Sequence, residues 1–265
     1  MAYLKIENLQ LGNYSINLNI ENGEVVGIYS QNKKAVLDLL EIIAGINPGE
    51  SVLYNEKNVF DNREYFQNRI FLDYSHTYLS TLRVSVIEEV LKNKYNLSFN
   101  KEKFVKIGKE LDIRGETEIS EQYKFTSAGN TFVNFALTMA LEKPNIVVNN
   151  PTSGLNLPED IQYIVKGLTD ITAFNTAIIG IDRLKVFKGR FHKILFLSDY
   201  GTVHCIAPET TLLVFPKEFE PQFPLFASDK KVISLSSYQK EELKQFQKNK
   251  IEYEMISVYD IEDYL

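Results

Sequence analysis

Residues 146–156 of this chain have the sequence IVVNNPTSGLN. The apolar run Ile146–Val148 predicts a buried strand, and the two asparagines after it are followed by a proline turn. Asparagine is about as large as aspartate and forms hydrogen bonds, but it cannot carry negative charge or take a proton from water. Asn149, Asn150 and Asn156 therefore give this strand and turn a polar end that lacks the charge needed to hold a hydrated magnesium ion.

Bulk composition limits the classes of protein to consider. The chain has 265 residues, of which 44% are hydrophobic, which suffices for one large or two small domains. The formal net charge of -6 gives no general attraction to nucleic acid, so no nucleic-acid partner is predicted. The single cysteine, Cys205, excludes an internal disulfide. The three histidines are far apart in sequence, and no metal site is predicted from them.

The first part of the chain alternates strands and helices. Leu4–Leu9 and Ser15–Ile20 predict an antiparallel hairpin, because apolar and polar residues alternate on either side of a glycine turn. Glu24–Tyr29 predicts a short buried strand, and Lys34–Ala44 predicts a helix. Strand, polar turn and helix in this order are the layout of a phosphate-binding loop. The later segments repeat this alternation, which favours a mainly parallel sheet covered on both faces.

Three prolines, Pro216, Pro221 and Pro224, predict an extended linker. Beyond them, residues 231–235 and 251–258 predict strands, and residues 237–248 and 261–265 predict helices. We therefore expect a small β-α-β-α appendix over residues 216–265. A chain truncated near Lys217 is expected to remain folded.

In this order of segments, residues 3–207 resemble the nucleotide-binding domain of ABC transporters. The phosphate loop of that family follows the pattern GxxGxGK and ends in Ser or Thr. Gly27 and Lys33 match the pattern, whereas Ser30 and Asn32 replace glycines and Lys34 replaces the metal-binding hydroxyl. Asparagine tolerates positive φ, so Asn32 is expected to preserve the turn. Lys34 either neutralises phosphate near the metal position or points to solvent at the start of the helix.

The other motifs of the family are also altered. The signature segment LSGGQ corresponds to residues 127–131, in which Gly129 is retained. The resemblance places the family's metal-binding aspartate at Asn149, its catalytic glutamate at Asn150 and its switch histidine at Asp182. The family's glutamine is expected near Ser75 or His76. Tyr14 is the nearest candidate for the aromatic residue that stacks on adenine, and the favoured alternative is that its side chain packs on or caps the hairpin turn. A catalytic residue is therefore not predicted.

The resemblance implies an α/β fold of the P-loop NTPase class and ABC type. It has a mainly parallel core sheet, an antiparallel N-terminal β region and an inserted helical subdomain at about residues 73–143. Residues 1–215 form the nucleotide-binding domain, and residues 216–265 form the appendix. Gly27, Ser30, Asn32, Lys33 and Lys34 are the candidate site for weak ATP or phosphate binding, and Mg²⁺ is not expected to bind.

The function implied is that of a degenerate, non-hydrolytic ATP-binding subunit of a transporter. Its implied partners are membrane-spanning transporter subunits and a second cassette, either itself or another ATPase, in a head-to-tail dimer. It would lie in the cytoplasm at the inner face of the membrane. Two alternatives remain open: a soluble regulatory or scaffold protein that uses this fold without a transporter, and a divergent but active ABC ATPase.

Overall fold

The computed structural model describes residues 4–49, 51–76, 84–95, 97–111, 127–170, 175–236, 243–244, 246 and 248–265. The N-terminal hairpin is formed by β1 (Leu4–Leu11) and β2 (Tyr14–Ile20), which pair antiparallel around a turn with Gly12 at φ +57°. β4 (Val52–Tyr54) pairs with the other edge of β1, and β5 (Lys57–Asn58) pairs with β4. The predicted hairpin is therefore confirmed and opens a small antiparallel sheet.

The core sheet of the described chain contains six strands. They are β3 (Val25–Tyr29), β6 (Arg69–Asp73), β7 (Asn145–Asn149), β8 (Thr176–Ile181), β9 (Lys193–Leu197) and β10 (Val203–Ile206). Their order is β10-β9-β3-β8-β7-β6, and the pairs are parallel except for β10 with β9. The carboxyl ends of the five parallel strands therefore lie at one edge of the sheet, which is the usual place for a ligand in this architecture.

Helices cover both faces of this sheet. The α-helices of the described residues are α1 (Lys33–Ile43), α2 (Arg63–Asn68), α3 (Val84–Tyr95), α4 (Lys101–Glu110), α5 (Ser127–Ala140) and α6 (Pro158–Thr169). α1 buries Val36, Leu39 and Leu40 in one hydrophobic cluster, and α5 and α6 contribute to the other cluster. The predicted two-sided α/β fold is confirmed. None of the described helices has the length and apolar content needed to cross a membrane.

Helices α3, α4 and α5 lie between β6 and β7 in the chain, within the predicted helical subdomain at residues 73–143. Residues 77–83, 96 and 112–126 of that subdomain lie outside the described residues. Asn100 caps the N-terminus of α4 by accepting a hydrogen bond from the backbone N–H of Lys103 at 3.0 Å. α4 and α5 bury Phe104, Ile107 and Phe135 in one of the two hydrophobic clusters, so these helices are joined to the core.

The C-terminal segment forms a third sheet. The predicted strand at residues 231–235 is confirmed, but two of the three prolines of the predicted extended linker lie in strands. β11 (Thr211–Pro216), β12 (Pro224–Ala227), β13 (Lys231–Leu235) and β14 (Glu254–Ser257) pair antiparallel in the order β12-β13-β11-β14. Pro216 ends β11 and Pro224 begins β12, positions where a strand tolerates proline because few ladder hydrogen bonds are lost. The predicted boundary between residues 215 and 216 therefore falls inside β11.

The remaining C-terminal predictions were partly wrong. The predicted strand 251–258 is observed only as Glu254–Ser257, and a 3-10 helix, Val258–Tyr264, replaces the predicted helix 261–265. The predicted helix 237–248 lies mostly outside the described residues.

The C-terminal sheet packs directly on the core sheet. The fully buried ring of Phe226 on β12 meets the rings of Tyr29 and Phe196 edge to face, with centroid distances of 5.5 Å and 5.4 Å. Leu212, Val214 and Ile233 belong to the same hydrophobic cluster as the core residues. Since Tyr29 ends β3 and Phe196 lies next to the end of β9, the C-terminal sheet packs near the carboxyl ends of these two strands.

Candidate nucleotide site

The loop between β3 and α1 is short and is held by its own side chains. The buried Ser30 hydroxyl donates to the backbone oxygen of Leu197 at 2.8 Å, and the backbone N–H of Asn32 donates to Ser30 Oγ at 3.2 Å. Asn32 Oδ1 in turn accepts from the N–H of Ala35 at 3.2 Å. Asn32 is thus the N-cap of α1, with φ at -78°. Asn32 therefore serves this turn as a helix cap at negative φ, and its tolerance of positive φ is not used.

These contacts use N–H groups that a bound phosphate would need. Phosphate at a helix N-terminus is held by backbone N–H groups that are free to point at it. Here the N–H of Lys33 donates to the oxygen of Gln31 at 3.1 Å, while those of Asn32 and Ala35 donate to side-chain oxygens. A phosphate would therefore have to compete with these internal hydrogen bonds.

Gly27 lies inside β3, two residues before the end of the strand. A Cβ at this position would come within 2.6 Å of Ile181 Cδ1 and 3.0 Å of the Phe191 ring. Glycine is therefore needed here for close packing on the neighbouring side chains. A contact between Gly27 and phosphate stays a prediction.

Lys33 and Lys34 point to different surroundings. The Lys33 ammonium lies over the Tyr29 ring, 5.0 Å from its centroid. Partial desolvation lowers the pKa of Lys33, and the nearby carboxylates of Asp182 and Glu262 act in the opposite direction. The Lys34 side chain is 83% exposed and pairs with Asp38 at 2.9 Å, which raises its pKa. Of the two expectations for Lys34, the structure supports the one in which it points to solvent at the start of the helix.

Two cavities flank this loop. The first, of about 340 Å³, lies at the ends of β6, β7 and β8. Several of the residues predicted from the motifs line it, and its lining includes Lys33, Lys34, Asp73, Ser75, His76, Asn149, Asn150 and Asp182. The second, also of about 340 Å³, lies between the hairpin turn and α1 and is lined in part by Tyr14, Asn32, Asp38 and Asp199. The structure thus places Asn149, Asn150 and Asp182 around one cavity and Tyr14 beside the other.

Asp73 is a cavity residue that the sequence analysis missed. Its side chain is buried at the end of β6, and Asn149 Nδ2 donates to its Oδ1 at 3.1 Å. Ser75 Oγ donates to the same oxygen at 2.7 Å, and His76 Nδ1 lies 2.8 Å from Asp73 Oδ2. Strand pairing could have revealed Asp73 from the sequence, because Asp73 and Asn149 end neighbouring parallel strands and are register partners.

Asn150 and Asp182 contribute buried oxygens to the same region. Asn150 has φ at +49°, and its backbone N–H donates to the oxygen of Gly180 at 2.9 Å. Asn150 Oδ1 and Asp182 Oδ1 are both buried and have no hydrogen-bond partner among the described residues. The cavity lining therefore includes two residues with unpaired acceptor oxygens, at the positions where the resemblance predicts an acid and a histidine.

Gly129 lies apart from the phosphate loop, on helix α5. The first turns of α5 contact the turn after β7, since Thr131 Oγ1 donates to the oxygen of Ser153 at 2.7 Å. The Arg183 guanidinium holds the same turn through the backbone oxygens of Thr152 and Leu155. Among the described residues lining the two cavities, none belongs to α5. The signature-like segment therefore faces the turn and not the loop of its own chain.

The donor groups around this cavity do not match those of a metal site. In the described part of the chain, no group of three or more His, Cys, Asp or Glu residues is placed to hold a metal ion. Lys34 supplies an ammonium, which cannot ligate a metal, and the Asp73 carboxylate already accepts from Asn149 and Ser75.

No protein-family model and no curated protein sequence matches the chain. Solved structures do match. A protein described as the cobalt transport ATP-binding protein cbiO-2 is 18% identical with a TM-score of 0.63, over 99% of this chain and 100% of that one. Clostridium perfringens cbiO1, described as part of the ABC transporter complex cbiONQ, is 18% identical with a TM-score of 0.56, over 77% and 88%.

The ATP-binding cassette MJ0796, solved as a dimer bound to ADP and Pi, is 20% identical with a TM-score of 0.60, over 77% of this chain and 98% of that one. At these identities the likeness is one of fold. The chain therefore has the P-loop NTPase fold of the ABC type, as in the nucleotide-binding domains of ABC transporters. The fold predicted from the motifs is confirmed.

Proposed function

We propose that this chain is an ABC-type cassette subunit that binds nucleotide weakly, does not hydrolyse it and acts through membrane-spanning partners. The observation that carries the proposal is the pairing of Asn149 with Asp73. An amide stands where the family has its metal-binding carboxylate, and the nearest carboxylate on the next strand is occupied by this amide and by Ser75.

Magnesium does not fit this set of side chains. Mg²⁺ requires oxygen ligands in near-octahedral geometry and is usually bound through carboxylates and phosphate oxygens. Lys34 replaces the hydroxyl ligand with an ammonium that pairs with Asp38, and Asn149 offers no charge. We therefore propose that any nucleotide is bound without a structured metal site.

Hydrolysis also lacks its usual groups. Phosphoryl transfer depends on positioning, on charge stabilisation and on an oriented nucleophile. The amide of Asn150 cannot act as a base, and Asp182 places a carboxylate where a donor to the γ-phosphate is expected. A carboxylate at this position repels phosphate instead of stabilising it. The expected consequence is loss of turnover and not only a slower rate.

Weak attraction to phosphate remains. The Lys33 ammonium projects from the first residue of α1, where a helix N-terminus also favours an anion. The N–H groups of Asn32, Lys33 and Ala35, which would add affinity, are engaged internally. Phosphate binding would therefore rest mainly on Lys33, and we expect low affinity.

The partners are proposed by analogy of fold, which is weaker support than the geometry. Clostridium perfringens cbiO1 is part of an ABC transporter complex, and MJ0796 was solved as a dimer. By the same arrangement, this chain would sit at the inner face of the membrane beside a permease. It would pair head to tail with itself or with another cassette.

Calorimetric titration with ATP, with and without magnesium, tests the nucleotide part of the proposal. We expect weak binding that Lys33→Ala abolishes and that changes little when magnesium is added. The matched control for Lys33→Ala is Lys188→Ala, which removes a lysine outside both cavities. Strong tightening by magnesium would show that a working metal site exists and would overturn the proposal.

Purification from detergent-solubilised native membranes tests the partner part. We expect an integral membrane permease to co-purify in a fixed ratio with the chain. Recovery from the soluble fraction alone, with no membrane partner, would favour the scaffold alternative.

A further inference from the structure

His76 follows strand β6, and its backbone is anchored on two sides. Its N–H donates to the backbone oxygen of Asp73 at 3.0 Å, and its own backbone oxygen accepts from Asn134 Nδ2 at 2.8 Å. The buried Tyr74 is also joined to α5, since its hydroxyl lies 2.8 Å from Thr138 Oγ1. The turn that carries His76 is therefore held by both β6 and α5.

The imidazole of His76 is oriented by the Asp73 carboxylate. Asp73 Oδ2 lies 2.8 Å from Nδ1 of the ring, while Oδ1 accepts from Asn149 and Ser75. A carboxylate only accepts hydrogen bonds, so Nδ1 carries the proton of this contact. Nε2 then has a lone pair in the neutral ring and an N–H in the charged ring. None of the described residues forms a hydrogen bond with Nε2, and the side chain is 68% exposed.

His76 and Lys33 line the same cavity from two elements, the turn after β6 and the first residue of α1. At about 340 Å³, this cavity lies within the range of small-ligand sites, about 300–1,000 Å³. Of the two carboxylates in its lining, Asp73 already accepts from its neighbours, whereas Asp182 keeps an unpaired oxygen. The charge of Asp182 opposes an anion, and a charged His76 offsets it.

We propose that the imidazolium of His76 is the second phosphate-binding cation of this cavity, donating its Nε2–H to a phosphate group that Lys33 also contacts. The proposal rests on the proposed binding of nucleotide at Lys33, and it supplies further positive charge without a metal. A hydrogen bond that involves charged groups is roughly twice as strong as a neutral one. Because an imidazole changes charge between about pH 5 and pH 8, phosphate binding should tighten as pH falls.

Other charged groups near the cavity also respond to pH. On the described elements these are the lysines and carboxyls Lys33, Lys34, Asp73, Asp182 and Glu262. Glu262 lies on the 3-10 helix Val258–Tyr264, and burial raises its pKa. Helix α5 contacts His76 through Asn134, an amide that does not titrate. All of these groups are unchanged in His76→Gln, so any pH dependence that they cause persists in this variant.

Calorimetric titration of the full chain with sulfate, without magnesium, tests the proposal. It is done at about pH 5.5 and about pH 8.5, on either side of the range in which an imidazole changes charge. Sulfate resembles phosphate and keeps its charge over this range. His76→Gln removes the imidazole and keeps an amide that can donate to Asp73. We expect equal affinities at the higher pH, and at the lower pH at least about five-fold tighter binding by the wild-type chain, the effect of one charge at about 4 Å in water.

His204→Gln is the matched control, because it makes the same substitution at a histidine outside both cavities. It should bind sulfate like the wild-type chain at both pH values, whereas Lys33→Ala should weaken binding at both. The same pH dependence in His76→Gln and the wild-type chain, or no sulfate binding by the wild-type chain at the lower pH, would overturn the proposal. Failure of the proposed function would instead appear as magnesium-dependent binding or turnover of ATP.

A second experiment locates the contact. The imidazole resonances of the three histidines of the chain are followed by NMR while sulfate is added at the lower pH. We expect the resonances of His76 to shift and those of His192 and His204 to stay in place. Sulfate binding that leaves the His76 resonances unchanged would contradict the proposal.

Discussion

Asn149 Nδ2 donates a hydrogen bond of 3.1 Å to the buried carboxylate of Asp73 across the ends of two neighbouring parallel strands. The two residues are register partners, so the contact follows directly from how β6 and β7 pair. An amide and a carboxylate form a satisfied pair at this separation, whereas two carboxylates would repel each other. The Asn149 amide therefore has a structural role as a hydrogen-bond donor to Asp73.

The variant Asn149→Asp tests this relationship. It replaces a donor by a second anion next to Asp73, in a site that is mostly buried. We expect a loss of about 1–3 kcal/mol in the free energy of unfolding at neutral pH. In acid one of the two carboxyls takes up a proton and can donate again, so the loss should shrink as pH falls. Urea unfolding at both pH values measures it.

The control reverses the pair. In Asn149→Asp combined with Asp73→Asn, the donor and the carboxylate exchange strands, and part of the lost stability should return. A double variant that is destabilised by the full sum of the single changes would show that the two side chains do not interact as described.

The second prediction concerns the C-terminal sheet. Phe226→Ala removes a fully buried ring that contacts Tyr29 and Phe196, and we expect a loss of about 3–5 kcal/mol in the free energy of unfolding. Phe219→Ala, at a partly exposed ring, should cost less.

Truncation near Lys217 would remove all of β12, β13 and β14, so we expect it to weaken or abolish the cooperative unfolding transition. A truncated chain with unchanged thermal unfolding would contradict this.

The third prediction is a pH dependence at Glu262. Burial raises the pKa of this carboxyl above its ordinary value of 4.5. A carboxyl whose pKa is raised in the folded state contributes stability at low pH, and this contribution is lost as pH rises through the folded pKa. The stability of Glu262→Gln relative to the wild-type chain should therefore increase from acid to neutral pH.

Urea unfolding across this pH range measures the difference. Asp182, Lys33 and Asp263 are the charged groups near Glu262, and all three are unchanged in the variant. Asp263→Asn serves as the control on the exposed side of the helix. A Glu262→Gln difference that stays constant with pH would show that the Glu262 carboxyl titrates normally.

The sequence predicted the parts of the fold that depend on local periodicity. The hairpin, β3, β7 and helix α1 were predicted within a few residues, because apolar spacing reports which face of an element is buried. The C-terminal sheet was missed because proline is compatible both with an extended linker and with the end of a strand. Pro216 and Pro224 occupy strand ends, a choice that only the pairing partners decide.

For the candidate site as well, the sequence identified some residues and missed others. Lys33, Asn149, Asn150 and Asp182 were singled out from the order of the motifs, and the structure places all four around one cavity. Asp73 was not recognised. Its contact with Asn149 depends on strand register, which pairs two residues that are 76 positions apart in sequence. Long-range contacts of this kind leave no local pattern in the chain.

Steady-state release of phosphate from ATP, with magnesium in excess, tests the central claim most directly. The wild-type chain and Lys33→Ala are compared with a protein-free blank. We predict that all three release phosphate at the same rate, because Asn149 is paired with Asp73, Lys34 with Asp38, and Asn150 cannot act as a base. Release above the blank by the wild-type chain, abolished by Lys33→Ala, would contradict the account.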